Sequence, residues 1–184
     1  MDEGRQPAPH SSGINGVGVP ASSSVLCLRV TLLDSPNQLW RRVRVPGRMT
    51  LRRLHAVLRC VLGFPDVEAH RFRIGDLLYG TTAPGGTTRD SRWVMVGELV
   101  GSGIAAFRYE IAAPEVAVHE VRVEAILDEG ADAPGPLCLG GEGVWPERAL
   151  GPVAPPDRVA FMVTDPAVPA FDLEAVNVAL ARLR

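Results

Sequence analysis

Residues 39–80, LWRRVRVPGRMTLRRLHAVLRCVLGFPDVEAHRFRIGDLLYG, decide the fold. The first part alternates up to Val45 and stops at a Pro-Gly turn, which is typical of a strand. Thr50 is a favourable N-cap, and the apolar residues after it recur at helical spacing as far as Gly63. Alternation resumes at residues 69–74, and a Gly-Asp turn separates them from a short apolar run. The stretch therefore predicts strand, turn, helix, strand, turn and strand.

The segments on either side extend this pattern to an α+β fold. Residues 25–33 alternate as a strand that should pair with residues 39–45 in an antiparallel hairpin. Further strands are predicted at residues 105–111 and 118–127. On the second of these, one face would consist of His119, Val121, Val123, Ala125 and Leu127. We expect an antiparallel or mixed sheet with a β-grasp-like ββαββ start, a helix packed on the sheet, further strands and a C-terminal helix that begins after Asp172.

The chain divides into a tail and one domain. Residues 1–24 are rich in Gly, Pro and Ser and lack periodicity, which predicts a disordered tail. Residues 25–184 are long enough to form a single domain with one sizeable core. Within them, residues 128–158 are dense in Gly and Pro with little periodicity, which predicts a long functional loop or lid. A short apolar segment follows at residues 159–163.

Composition excludes several classes of protein. The net charge is −2, so no global field favours nucleic acid or a membrane, and no apolar run is long enough to span a membrane. All 19 basic residues are arginine, which excludes a Schiff-base or phosphate-loop lysine. The three cysteines are widely spaced, which indicates a reducing compartment rather than a disulfide framework. We therefore expect a cytoplasmic protein with no membrane partner.

Several motifs in the chain are similar to those of one known family. They are Trp40-Arg41-Arg42 with Val45-Pro46, Thr50-Leu51 with Leu54-His55, Gly63-Phe64, His70 with Phe72-Arg73-Ile74-Gly75, Tyr79-Gly80, Tyr109, His119, residues 138–143, Pro146-Glu147 and residues 171–177. On these motifs the chain resembles the plasmid pRi open-reading-frame-three-like proteins, which are associated with insertion-element passenger proteins of the TnpR type. The resemblance implies an association with mobile elements and does not imply recombinase activity.

Two segments depart from the pattern of that family. Where the family has Tyr-Asp-Phe-Gly-Asp followed by Trp and His, this chain has YEIAA at residues 109–113 and then His119. The family's Pro-Pro-Glu-Asp-Cys-Gly-Gly segment is replaced by WPERALG at residues 145–151. If those segments carry the family's activity, this chain has an altered or repurposed one.

The placement of histidine is the most informative feature of the chain. His55 falls in the apolar stripe of the predicted helix, and His70 and His119 fall on the apolar faces of two predicted strands. If the helix packs on the sheet, the three imidazoles point into one layer, with Tyr109 at the mouth of a cavity. They could supply a general acid and base near neutral pH, or bind a divalent metal, although no paired-histidine spacing favours a metal. The alternative is three hydrogen-bonded core residues.

Positive charge is concentrated between residues 41 and 59, where seven arginines occur without an acidic residue. Arginine contacts phosphate in a bidentate manner, so the cluster is compatible with a nucleic-acid partner. Trp40 and Arg42 share a strand face and could stack on a ligand. No helix-turn-helix or zinc-finger pattern accompanies them. A solvated face on an arginine-rich protein is the alternative.

The segment PLCLGGEG, residues 136–143, carries two further candidate residues. Cys138 could act as a nucleophile if a base such as His119 lay nearby, and Glu142 could complete a histidine site. The glycines could let backbone amides approach an anion, but no strand-to-helix context accompanies them. A plain lid loop is the alternative.

These features predict the binding or processing of a small molecule in a histidine-lined cavity between helix and sheet, for example by a specialised biosynthetic enzyme. The predicted catalytic residues are His55, His70, His119, Glu142 and Cys138, and the predicted ligand-binding residues are Tyr109, Trp40 and Arg42. We expect no cofactor, with a divalent metal as the alternative. The alternative function is a non-enzymatic interaction or regulatory module on a ubiquitin-like scaffold, which would use Arg42 and Arg52 to meet nucleic acid or an acidic protein.

Overall fold

The computed structural model describes residues 24–33, 39–64, 69–81, 86–113, 115–128, 135–143 and 171–183. The predicted tail, residues 1–24, lies outside the described residues except for Ser24, which begins the first strand. The predicted apolar segment at residues 159–163 also lies outside them. Of the predicted loop at residues 128–158, residue 128 and residues 135–143 are described.

Eight strands in the described residues form one sheet. They are β1 (Ser24–Leu32), β2 (Trp40–Pro46), β3 (His70–Ile74), β4 (Leu77–Gly80), β5 (Arg89–Asp90), β6 (Ala106–Ala113), β7 (Glu115–Asp128) and β8 (Leu137–Glu142). Their order across the sheet is β5-β4-β3-β6-β7-β1-β2-β8. Strands β4 and β5 pair in parallel, and the other described neighbours pair antiparallel. The predicted α+β fold with a mixed sheet is therefore confirmed.

The ββαββ start consists of two hairpins joined by a helix. Hairpins β1–β2 and β3–β4 both form, and helix α1 (Leu51–Leu62) connects them. The hairpins are not side by side, because β6 and β7 lie between β3 and β1 in the sheet. This insertion brings two further strands, which carry Tyr109 and His119, into the centre of the sheet.

Helix α1 has the ends that its sequence predicts. The Thr50 side chain accepts a hydrogen bond from the backbone N–H of Arg53 at 3.3 Å. Gly63 ends the helix in a left-handed conformation, with φ of 75°, and donates its N–H to the Cys60 carbonyl. The remaining described helices are a 3₁₀ turn (Ser91–Trp93), α2 (Val96–Gly101) and α3 (Leu173–Ala181). No described helix is long and apolar enough to cross a membrane.

The main core lies between α1 and one face of the sheet, which we call the inner face. The buried stripe of α1 consists of Leu51, Leu54, His55, Val57, Leu58, Val61 and Leu62. The strands contribute alternate residues, and Leu28, Phe72 and Val121 among them are fully buried. Because the side-chain period of a strand is two, the residues between them point to the opposite face, which we call the outer face.

A β-bulge changes the direction of the side chains at the end of β7. The β1–β7 register shifts between Cys27 and Leu28, and Glu124 is the extra residue on β7. The face predicted to continue to Leu127 therefore ends at Val123, and the prediction was wrong for the last two residues of that face. The alternating sequence pattern cannot reveal the bulge, because Glu124 lies on the polar outer face whether or not the strand contains an extra residue.

The Gly-rich segment predicted to be a lid loop contains strand β8, so that prediction was wrong for residues 137–142. β8 pairs antiparallel with β2, and its backbone also contacts α3. The Asn177 side chain accepts a hydrogen bond from Cys138 N–H at 2.8 Å and donates one to the Cys138 carbonyl at 3.0 Å. This amide takes the place of a neighbouring strand at the edge. Pairing with β2 and Asn177 thus overrides the weak strand propensity of the two glycines.

The buried guanidinium of Arg41 joins α1 to β8. Its Nε donates to the carbonyl of Val61, in the last turn of α1, at 3.1 Å. Its Nη1 donates to the carbonyls of Trp40 and Glu142, both at 2.8 Å. Its Nη2 donates to the carbonyl of Gly143 at 3.2 Å. One side chain therefore satisfies carbonyl groups from the helix, from β2 and from the end of β8.

The residues around Arg41 accommodate both its charge and its long side chain. Burial lowers the pKa of Arg41 to about 10, so the guanidinium remains charged at neutral pH. It lies 4.0 Å from the centroid of the Phe171 ring, just before α3. A Cβ at Gly141 would lie 2.5 Å from Arg41 Cδ and 2.9 Å from the Trp40 carbonyl oxygen. Glycine is therefore required at position 141 for this side chain to reach its partners.

Replacing Arg41 with methionine should destabilise the fold while keeping the aliphatic packing. We expect the free energy of unfolding to fall by about 3 kcal/mol, because several buried carbonyls lose a charged donor. The matched control is Arg52→Met, which removes one charge from the exposed side of α1 and should change stability by less than about 0.5 kcal/mol. Urea unfolding measures both, and equal effects of the two substitutions would contradict the structural role of Arg41.

Candidate functional site

The three predicted histidines meet on the inner face of the sheet. His55 projects from α1, His70 begins β3 and His119 lies on β7. Tyr109 lies on β6, the strand between β3 and β7, and it pairs directly with His119 on one side and with Phe72, two residues from His70, on the other. We call His55, His70, Tyr109 and His119 the His–Tyr cluster. The sequence predicted the face of each residue, and the strand order brings them together.

His55 and His70 form a stacked pair. Their ring centroids are 3.7 Å apart and their planes differ by 7°. The two residues are 8% and 9% exposed, so the pair is almost entirely buried, and Nε2 of His70 is itself inaccessible to solvent. Two imidazolium rings at this separation would repel each other strongly in a poorly solvated environment. The stack therefore favours at most one positive charge.

Tyr109 forms a hydrogen bond with one ring of the stack. Its hydroxyl lies 2.8 Å from Nδ1 of His55, and the tyrosine is fully buried. Burial raises the pKa of Tyr109 well above its ordinary value, while the positive charge of Arg59 lowers it by a smaller amount. The phenol is therefore protonated at neutral pH and shares a hydrogen bond with Nδ1 of His55. This hydrogen bond orients the imidazole.

His119 is the deepest member of the cluster and is fully buried. Its Nδ1–H donates to the backbone carbonyl of Tyr109 at 3.4 Å. Burial lowers the pKa of His119 to about 4, and the hydrogen bond to the carbonyl opposes that shift in part. His119 is therefore neutral at physiological pH, and it is positioned to support Tyr109 rather than to carry charge.

Two phenylalanines form the apolar wall of the cluster, and they were not among the predicted site residues. Phe72 contacts the His70 ring edge-on at 5.7 Å and the Tyr109 ring at 5.0 Å. Phe64 contacts His119 edge-on at 5.9 Å. Phe72 could have been found from the sequence, because it shares an alternating face with His70. The position of Phe64 after the helix gave no such signal.

The cluster offers proton chemistry rather than an evident metal site. Among the described residues, no group of three or more His, Cys, Asp or Glu side chains is arranged to hold a metal ion. Tyr109 lies between His55 and His119, and a protonated phenol is a poor metal ligand. The arrangement instead links His55 and His119 to Tyr109 by hydrogen bonds, and imidazoles are common donors and acceptors of protons in enzymes.

Cys138 and Glu142 do not join the cluster. Both lie on β8, and β1 and β2 separate this strand from β7, so they are roughly 14 Å or more from His119. Burial raises the pKa of the Cys138 thiol, which keeps it protonated at neutral pH. A protonated thiol this far from His119 does not favour the predicted nucleophilic role, in which His119 would be the base.

Trp40 and Arg42 lie on the outer face, across the sheet from the His–Tyr cluster. Arg42 makes two hydrogen bonds with Glu124, from Nε at 2.5 Å and from Nη2 at 3.0 Å. The Trp40 indole N–H donates to Glu142 at 3.3 Å. Arg52 is exposed on α1, which covers the inner face. The predicted arginine surface that combines Arg42 with Arg52 is therefore divided between opposite sides of the sheet.

Comparison with known proteins assigns the chain to a family. The sequence profile of the plasmid pRiA4b ORF-3-like proteins matches residues 24–172. The chain belongs to this family. The match includes all four residues of the His–Tyr cluster, and it confirms the resemblance to the plasmid pRi open-reading-frame-three-like proteins.

Two relatives extend the comparison. The chain is 28% identical over 132 residues to the uncharacterized protein y4hQ of Sinorhizobium fredii (strain NBRC 101917 / NGR234), which covers 70% of this chain and 68% of that protein. The crystal structure of a protein of unknown function, MM3350 from Methanosarcina mazei Go1, superposes with a TM-score of 0.57 at 22% identity. The superposition covers 65% of this chain and 70% of that one, and it shows a shared fold.

The depressed pKa of His119 should make stability depend on pH. The unfolded chain takes up a proton at His119 near pH 6.5, whereas the folded chain takes it up only near pH 4. The contribution is therefore complete above pH 6.5 and lost as the pH falls to about 4, and it amounts to about 3 kcal/mol.

Urea unfolding of the wild type and of His119→Gln at pH 7 and pH 4 measures this contribution. Glutamine does not titrate, so the loss of stability on acidification should be smaller in the variant by about 3 kcal/mol. Identical losses in both proteins would show that His119 titrates normally in the fold. An NMR titration of the His119 ring gives an independent value.

Proposed function

We propose that this protein binds a small molecule beside the His55–His70 stack and exchanges a proton with it. The single observation that supports this most is the stack itself, two parallel imidazoles 3.7 Å apart. A buried apolar pair would stabilise a core equally well without the cost of desolvating two polar rings. The stack is better suited to proton transfer than to packing. Gain or loss of a single proton switches the pair between a neutral and a singly positive state.

Each residue of the cluster has a distinct role in this proposal. His55 and His70 touch the ligand, and one neutral ring accepts a proton while the other limits the pair to a single positive charge. Tyr109 is a positioning residue that holds Nδ1 of His55, and His119 holds the backbone of Tyr109. Phe72 shields the stack from water, which strengthens the electrostatic interactions within it.

The proposed compartment is the cytoplasm. A specialised biosynthetic step is one reaction that such a site would serve there. All three cysteines of the chain are free thiols in the structure, and this suits a reducing compartment. The family's Gly-Asp is replaced by Ala112-Ala113 after Tyr109, and this departure supports an altered activity.

Removal of the Tyr109 hydroxyl tests the proposal with little change in shape. Tyr109→Phe should leave the fold intact, weaken ligand binding about tenfold through the loss of one buried hydrogen bond, and shift the pH profile of binding. The matched control is Tyr79→Phe, which removes the other tyrosine hydroxyl of the chain from β4. Ligand-observed NMR against a library of small organic acids, amides and phosphate esters identifies binders, and His70→Gln should abolish their binding.

The outcomes distinguish a ligand-binding site from a set of structural core residues. Binders whose affinity falls in Tyr109→Phe and His70→Gln but not in Tyr79→Phe support the proposal. Absence of any binder, or equal effects of both tyrosine variants, would contradict it. If His70→Gln and Tyr109→Phe only lower the free energy of unfolding, the histidines are core residues.

A further inference from the structure

The outer face of the sheet carries most of the arginines of the described strands. Seven arginines lie on it, on the five adjacent strands from β3 to β2: Arg29, Arg42, Arg44, Arg71, Arg73, Arg108 and Arg122. The whole chain has a net charge of −2, so the positive charge concentrated on this face is outweighed by negative charge elsewhere in the chain. None of these residues belongs to the His–Tyr cluster, which lies on the inner face.

The arginines are aligned by the sheet register. Arg122 pairs directly with Arg29, and Arg29 pairs directly with Arg42, so three guanidinium groups form a row across β7, β1 and β2. Arg73 and Arg108 form a second direct pair on β3 and β6. Like charges directly opposite each other destabilise a sheet. Ion pairs with Glu120 and Glu124 offset part of this repulsion, and an anionic ligand that follows the row would offset more of it.

Glutamates that are less exposed than the arginines form ion pairs with them on this face. The side chain of Arg71 is 50% exposed and that of its partner Glu110 is 11% exposed. For Arg122 and Glu120 the values are 57% and 36%. The same order holds for the remaining pairs on this face, Arg29–Glu124, Arg42–Glu124 and Arg73–Glu110. The carboxylates therefore fix the guanidiniums in place, and the guanidiniums form the outermost charged layer.

An aromatic side chain lies beside the arginine row. The guanidinium of Arg29 lies 4.3 Å from the centroid of the Trp40 ring, and that of Arg42 lies 5.6 Å from it. The hydrogen bond from the Trp40 indole to Glu142 fixes the ring on the edge side of the row. The row thus ends at a half-exposed, oriented indole with cations stacked against it.

We propose that this outer face binds single-stranded nucleic acid. The row of Arg122, Arg29 and Arg42 contacts successive phosphates, and Trp40 with its stacked guanidiniums receives a base. A single strand fits better than a duplex, because an open sheet face cannot enter a groove, whereas a single strand can lay its phosphates and splayed bases on it. A nucleic acid is favoured over an acidic protein segment because it supplies bases for the indole as well as phosphates for the arginines.

Fluorescence anisotropy with short labelled oligothymidine and oligouridine tests this surface. Arg122→Gln should weaken binding about tenfold, since it removes one charge-assisted phosphate contact. It should also reduce the slope of log affinity against log salt by about 0.7. The matched control is Arg52→Gln, which removes the same charge from α1 on the opposite side of the protein and should leave the affinity unchanged.

Each outcome supports or overturns the proposal. Loss of affinity in Arg122→Gln, and a further loss in Trp40→Leu, with circular dichroism unchanged, support it. No binding of either oligonucleotide overturns it, and so does equal weakening by Arg122→Gln and Arg52→Gln, which would indicate a non-specific charge effect. Tighter binding of polyglutamate than of either oligonucleotide would overturn it in favour of an acidic protein. Tyr109→Phe should bind the oligonucleotides normally, so this surface and the histidine site fail independently.

Discussion

The packing of α1 against the inner face of the sheet is the constraint on which the rest of the structure depends. Its apolar stripe must be buried, and His55 is part of that stripe, so the helix cannot pack without desolvating an imidazole. The desolvation is tolerable because Tyr109 supplies a hydrogen bond and His70 supplies a parallel ring. Helix packing and the assembly of the site are therefore one event.

Periodicity is sufficient to predict which face each functional residue occupies. Helical spacing placed His55 in the buried stripe, and strand alternation placed His70, Tyr109 and His119 on the buried side of their strands. The depth of each residue along its strand depends on register, and register comes from long-range pairing that periodicity does not encode. The convergence of the cluster follows from the β6–β7 hairpin between the two others, which no local pattern could indicate.

Local patterns fail where tertiary contacts replace them. β8 contains two adjacent glycines and is a strand because β2 pairs with it on one side and the Asn177 amide on the other. Arg41 belonged to a charge cluster by composition, but it points inward to satisfy backbone carbonyls. The missed features share one cause. Each depends on a partner far away in sequence, and the identity of the residue alone permits several roles.

The single sheet connects two chemically opposite surfaces. In β6 the consecutive residues Tyr109 and Glu110 point to opposite faces, one holding the imidazole stack and the other bridging Arg71 and Arg73. Coulomb interactions through the sheet are screened less than those through water. If the outer face binds an anion as proposed, the negative charge would favour a positive charge on the stack, because the two charges have opposite signs. By linkage such an effect would be mutual, so a positive charge on the stack would favour the anion by the same free energy.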